Sequence, residues 1–352
     1  MNGVRYGNLF LGAYESQPKS TVKEAYTSDI PEPPKVTIVN PTYPVYTVGT
    51  LYTSNPSTLT VAGDGTVWTY TIANNSIKSI AGSGTDRGTL LNVDGQGMNA
   101  RFGGIGFFQV LEDGTIYLTS RIHGVVRRVR PDGYVERFFG KEDVNAYYVP
   151  GTPLASATLF YPTALYLDRS TNTLYITNTS QIVKVNLLTN AISSLSLSAG
   201  FNFSLGQIGL DSQKNVIGAD VDRHIVFKVS PSGVCTVIAG QSGTSGYVDD
   251  TTPTNARFNQ PTAVVVDSQD NIIVYDSGNL RFRKITPAGV VTTLAGNGTN
   301  GRTDGTGTGA SFDIPTSHYL QLQIDQSDTI WIPFGFIRKL TSAGVVTTVF
   351  RY

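Results

Sequence analysis

A unit of about forty residues recurs along this chain, and a repeat of that length constrains the fold more than any other feature. Residues 256–298 read ARFNQPTAVVVDSQDNIIVYDSGNLRFRKITPAGVVTTLAGNG. Apolar runs at Ala263–Asp267, Ile272–Asp276, Leu280–Ile285 and Val290–Leu294 are separated by turn residues. Four short strands joined by tight turns form an antiparallel meander, and one meander cannot bury both of its faces alone. The frame returns at 100–140, 157–196, 201–240 and 310–350, and in weaker form at 45–84, which ends SIKSIAGSG and whose earlier strands align in two registers. Meanders repeated in this way pack around an axis. The expected architecture is all-β, a six-bladed β-propeller over residues 45–352, with an extended N-terminal arm over 1–44.

The segments between units share a signature: AGSGTDRGTLLNVDGQGMNARF, AGQSGTSGYVDDTTPTNARF and AGNGTNGRTDGTGTGASF. Asp94-Gly95-Gln96-Gly97-Met98-Asn99-Ala100-Arg101-Phe102 and Asp304-Gly305-Thr306-Gly307-Thr308-Gly309-Ala310-Ser311-Phe312 carry it most fully. This pattern, followed by Pro and an apolar strand ending in Asp, resembles the NHL-repeat propeller family over roughly residues 50–352. The 157–196 unit, whose linker is shorter, and the first unit depart from it. The resemblance implies the fold. It implies no single activity, because the family includes binding platforms, lyases and hydrolases on one scaffold.

Lys+Arg and Asp+Glu both number 26, so the summed field offers nothing to a phosphate backbone or an anionic membrane, and nucleic-acid binding is disfavoured. Only 15% of residues are charged, and Thr, Ser, Asn and Gly take their place. A polar surface of low charge is common on extracellular and virion proteins. Cys235 is the single cysteine and is read as a structural thiol on a strand with alternating burial. The N-terminus lacks an apolar core of signal-peptide length, and no run reaches the ~18 apolar residues of a membrane span, so neither export by signal peptide nor membrane insertion is expected. Residues 1–44 contain Pro18, Pro31, Pro33, Pro34, Pro41 and Pro44, which favour an extended strap over a helix or a central strand.

No nucleophile elbow, phosphate loop, paired-cysteine motif or HExxH occurs. The turns joining second to third strands share one mouth of the channel with the linkers feeding the first strands, and that face is where a site is expected. His123, His224 and His318 fall there, in alternate units, and imidazoles converging in this way would suit zinc. Asp220, Asp222 and Asp276, with Asn178 and Ser120 in equivalent positions, would suit calcium, as in a lactonase-like hydrolase. The competing reading is that an Asp or Asn at a strand end caps the following turn. Tyr147, Tyr148 and Tyr247 lie in linkers, where exposed rings stack on glycans or bury area against proteins. A basic column, Arg128, Lys184, Lys228, Lys284 and Lys339, is assigned to solvated positions on the third strands.

The leading expectation is a non-enzymatic structural or recognition module without a cofactor, held by residues 1–44 to other subunits of a larger assembly. Its concrete form is a phage tail, fibre or other virion component contacting a cell-surface glycan or protein. The alternative is an NHL-type lyase or hydrolase that depends on zinc or calcium, using the histidines or the Asp220/Asp276 set, or a cytoplasmic binding scaffold.

Overall fold

The computed structural model describes residues 92–350, apart from residues 104, 179, 199–200, 202–205, 315–319 and 335, and it also describes residues 81–82. Towards the N-terminus it describes the backbone of the strands Thr37–Ile38, Thr50–Asn55, Thr58–Gly63, Thr66–Thr71 and Ser76–Ala81. The fold is an all-β propeller. Blade I runs from Phe108–Val110 through Ile116–Ser120 and Val125–Val129 to Tyr134–Gly140. Blade II comprises Ala164–Asp168, Thr173–Thr177, Gln181–Asn186 and Ile192–Ser196. Blade III comprises Gly209–Leu210, Val216–Asp220, Ile225–Val229 and Cys235–Ala239. Blade IV comprises Pro261–Val266, Ile272–Asp276, Arg281–Ile285 and Val291–Ala295. Blade V comprises Gln323–Ile324, Ile330–Phe334, Phe336–Leu340 and Val345–Phe350. Every blade is an antiparallel meander in chain order, first strand innermost.

Five blades, against six expected, are thus described with their side chains. Residues 50–81 pair as a further antiparallel meander, and Thr37–Ile38 joins its outer strand in parallel. This short strand belongs to the segment read as an arm, so part of that segment sits on its own chain's sheet; the rest of residues 1–44 lies outside the described residues.

Burial grades outward from the axis. The second strands of blades I, III and IV are buried at every residue, because neighbouring blades cover both faces, and so IYLTS, VIGAD and IIVYD read as unbroken apolar or small-residue runs. Fourth strands are open on one face: Cys235–Ala239 keeps only Ala239 fully buried, and Cys235 is half-buried rather than a core thiol. The apolar clusters are built between blades, one spanning blades I to III and another joining blades IV and V. The basic column is half-buried along the third strands, and Arg128 reaches across to Glu136 on the fourth strand.

The linker signature is a packing unit. Arg127, Arg283 and Arg338 stand one residue before the half-buried basic column and are buried. Each guanidinium bonds the linker aspartate, Asp94, Asp249 or Asp304, with one pair at 2.6 Å and another at 2.5 Å. Each also donates to two linker carbonyls, at Val93 and Arg101, Val248 and Arg257, or Thr303 and Ser311. The Phe of Ala-x-Phe lies against the same guanidinium: Phe102, Phe258 and Phe312 have ring centres 5.1, 5.0 and 4.9 Å away. The second carboxylate oxygen accepts the backbone N–H of Arg137, Thr293 or Thr348 on the fourth strand. Blades II and III place Val183 and Phe227 at the Arg position.

Candidate functional site

Each first strand ends in an acidic residue or runs into an acidic turn. Asp211 and Asp267 accept the backbone N–H of Asn215 and Asn271 together with their side-chain amides, and Asp325 accepts Thr329 N–H and the Trp331 indole. These bonds close the turn to the second strand. The same turns are tied to one another around the ring. Lys214 donates to Asp168 and Ser170 of blade II, Ser212 to Asp270 of blade IV, and Ser268 to Asp328 of blade V. Lys214, Asp270 and Asp328 adopt left-handed backbone, which turns each side chain toward the preceding blade.

Inside this rim lies a cup of about 980 Å³ bounded by the first strands of blades I to V. Its wall is apolar at Leu167, Leu210, Val266 and Ile324, and Tyr166 faces it. Burial, then the charge of Asp168, push the Tyr166 phenol up to about 12, so it stays a hydrogen-bond donor at neutral pH. Deeper in, glutamines bridge the axis. Gln207 accepts Leu322 N–H at 2.6 Å and donates to Leu322 O at 2.6 Å, joining blades III and V. Gln321 does the same to Phe108 of blade I, and Gln109 donates to Leu165 O. Each amide mimics a strand neighbour for a backbone peptide that the meander leaves unpaired. Gln323 is the exception: it is 8% exposed, lines the cup, and its Nε2 has no partner among the described residues.

This cup opens at the first-to-second-strand turns, the mouth opposite the one where the sequence placed a site. At the expected mouth, the candidates mostly hold turns. Asp220 accepts Arg223 N–H, Asn178 accepts Ser180 and Gln181 N–H, and Asn92 donates to Ser120. Burial raises the Asp220 carboxyl above its usual range. Asp222 is exposed. Asp276 accepts Asn259 N–H, the Asn279 amide and Arg283. Capping therefore claims Asp276 and one oxygen of Asp220, as side-chain oxygens one turn from open N–H groups allow, while the buried Asp220 Oδ2 has no hydrogen-bond partner among the described residues.

The histidines occupy unlike positions. His123 is buried with Nδ1 2.6 Å from Asp143, while Nε2 has no partner among the described residues. His224 sits in the left-handed turn position held by Gly124 in blade I and Leu280 in blade IV, and its Nδ1 accepts Gln260 N–H. His318 lies outside the described residues, so the expected trio is not assembled among them. No set of three His, Cys, Asp or Glu side chains among the described residues is placed to hold a metal. Tyr147 is 42% exposed and stacks on Phe160; Tyr247 is equally exposed but lies against Arg281 and bonds Thr293. Tyr148 is buried and carries no exposed ring.

Loss of hydration pushes the Asp276 carboxyl up to about 6, against the pull of Asn279, Asn259 and Arg283. A folded-state value above the unfolded one means that protonation favours folding. That stabilisation is complete below about pH 4 and is lost as the pH rises through about 6. Denaturant unfolding at a series of pH values is expected to show this slope in the natural chain and to show it flattened in Asp276→Asn; parallel curves would contradict it.

No helix among the described residues is long and apolar enough to cross a membrane. No protein-family profile matches the chain, and no curated protein resembles it in sequence. Solved structures do resemble it in shape. An auxiliary nutrient binding protein from Bacteroides thetaiotaomicron is 14% identical, with 85% of this chain and 68% of that one covered at a TM-score of 0.58. A counterpart from Bacteroides ovatus is 16% identical over 84% and 67%, with a TM-score of 0.57. A catalytically inactive virginiamycin B lyase from Staphylococcus aureus, with quinupristin, is 11% identical over 86% and 83%, with a TM-score of 0.53. At such identities the likeness shows the propeller fold and nothing about the site.

Proposed function

We propose that this protein is a non-enzymatic recognition module that takes its ligand on the propeller and is anchored through its N-terminal residues in a larger assembly. The observation that carries this reading is the walled cup on the axis, whose rim is pinned blade to blade and whose depth is lined by fixed amides. A preformed concavity with few unmet polar groups suits binding, because little ordering is required when a ligand enters. Of the carboxylates considered for calcium, Asp276 is taken up by Asn259, Asn279 and Arg283, Asp220 caps its turn through one oxygen, and Asp222 is exposed, which favours recognition over a zinc- or calcium-dependent lyase or hydrolase. In the same reading, the N-terminal sheet closes an NHL-type ring as its sixth blade. Its Thr50–Asn55 strand lies against Phe108–Val110 on one side and against blade V on the other. The assembly is a virion component such as a tail or fibre, where a sparsely charged surface and a proline-rich strap are in keeping; a cytoplasmic scaffold is the alternative.

The test is the mass in solution of the full chain and of a chain beginning at residue 36, which keeps the Thr37–Ile38 strand on its sheet. The full chain is expected to associate, and the shortened chain to be a folded monomer. Two stable monomers would remove the anchoring role, and a stoichiometric zinc or calcium with turnover of a substrate would replace recognition by catalysis.

A further inference from the structure

We propose that the cup is a binding site for a neutral saccharide, which would deepen the recognition reading above by naming its ligand class and rests on that reading. Gln323 carries a buried amide N–H without an acceptor among the described residues, and burying such a donor unsatisfied is costly. Tyr166 lines the same space and brings a phenolic hydroxyl to it. Both groups donate, so the ligand must present acceptor oxygens.

Charge narrows the choice. Glu112, Asp168, Asp211, Asp267, Asp270 and Asp325 surround the cup, against Arg169 and Lys214 as the cations. Carboxylate or phosphate oxygens would meet that surplus of negative charge at short range. An organic cation would be drawn to the rim but would leave the Gln323 N–H unmet, and an apolar ligand would leave both donors unmet. Hydroxyl groups fit on all counts. Each can accept from Gln323 or Tyr166 while donating into a carboxylate lone pair, and the turn bonds hold those carboxylates in place. Adjacent hydroxyls on a saturated ring also present C–H faces, which match the Tyr166 ring and the wall made by Leu210, Val266 and Ile324. That combination is a sugar ring. The volume of about 980 Å³ lies at the upper end of small-ligand sites, so the cup has room for more than one ring.

The experiment is saturation-transfer NMR with titration of the full chain against glucose, galactose, mannose, N-acetylglucosamine, maltose and cellobiose, with glucuronic acid and spermidine as charged probes. At least one neutral sugar is expected to bind saturably. Gln323→Leu, which removes the amide and keeps the volume, is expected to weaken that binding at least about tenfold. Leu188→Ser, an exposed change on the rim of blade II's outer strands, is expected to leave it unchanged. Thermal unfolding of each variant confirms that the fold survives. Absence of saturable binding by every neutral sugar, binding indifferent to Gln323→Leu, or tighter binding of either charged probe would overturn the saccharide site. A sugar that binds in the Gln323-dependent way but is chemically converted would keep the site and sink the non-enzymatic reading. A glycan held elsewhere, with the cup silent, would sink the site and leave that reading standing.

Discussion

Arg283→Ala is expected to lower folding stability by about 3–5 kcal/mol, the usual loss when one partner of a buried ion pair is removed. In a chain of this size that corresponds to a fall of roughly 4–7 °C in melting temperature. Arg283 and Asp276 are both fully buried and 2.9 Å apart, and Arg283 also holds Asp249 and two linker carbonyls. Truncation would therefore leave a buried carboxylate without its cation and uncover the face of Phe258. Arg283→Lys is expected to recover only part of the loss, since one ammonium cannot span two carboxylates and two carbonyls set out for a planar fork. The neighbouring Lys284→Ala, at a half-exposed position, is expected to change stability by less than about 0.5 kcal/mol. Chemical denaturation of the three variants checks the order, and equal losses at 283 and 284 would contradict it.

Gly296→Ala is expected to cost about 2–4 kcal/mol, from left-handed backbone strain and steric overlap together. Gly296 has φ +106, and a Cβ there would stand 2.6 Å from Leu280 O and 3.0 Å from Arg281 Cα. Both obstacles are backbone, so no side chain can swing aside. Gly240 meets His224 O in the same way at 2.7 Å, which explains why the fourth strands of blades III and IV close with Ala-Gly. Gly309, with no atom near its built Cβ and no positive φ, is the control: Gly309→Ala is expected to fold as well as the natural chain. Comparable losses at 296 and 309 in a melting experiment would refute the steric account.

These two positions illustrate what could be read in advance. The blade frame was legible because each strand's burial is periodic and each turn needs particular residues. The runs read at 256–298 fall within one or two residues of the strands found there, from Pro261–Val266 to Val291–Ala295. The linker aspartates were also visible, as part of the signature shared by the segments between units. That each grips a buried arginine could have been inferred from a local sign: Arg127-Arg128, Arg283-Lys284 and Arg338-Lys339 are basic doublets in the blades whose linkers carry the Asp, whereas blades II and III have Val183-Lys184 and Phe227-Lys228. On a strand, adjacent residues face opposite ways, so a doublet places one charge inward.

The site was far less legible. The strand-end residues Asp220, Asp276 and Asn178 were correctly placed at one mouth of the channel, yet they serve turns. The cup lies at the other mouth, and its polar interior depends on glutamines with no local signature. Gln321 meets Phe108 across 213 residues of sequence, and Gln207 meets Leu322 across 115. What the sequence determined by itself is everything that repeats within one unit: strand order, turn chemistry, the glycine that closes the fourth strand in blades I, III and IV, and the pattern of burial. These depend on interactions between residues a few positions apart, which recur in every copy. Only the tertiary structure decided which amides are consumed in bridging the axis and which one, Gln323, is left facing the cup. That outcome depends on the distance between non-adjacent blades, a quantity that exists only once the ring has formed.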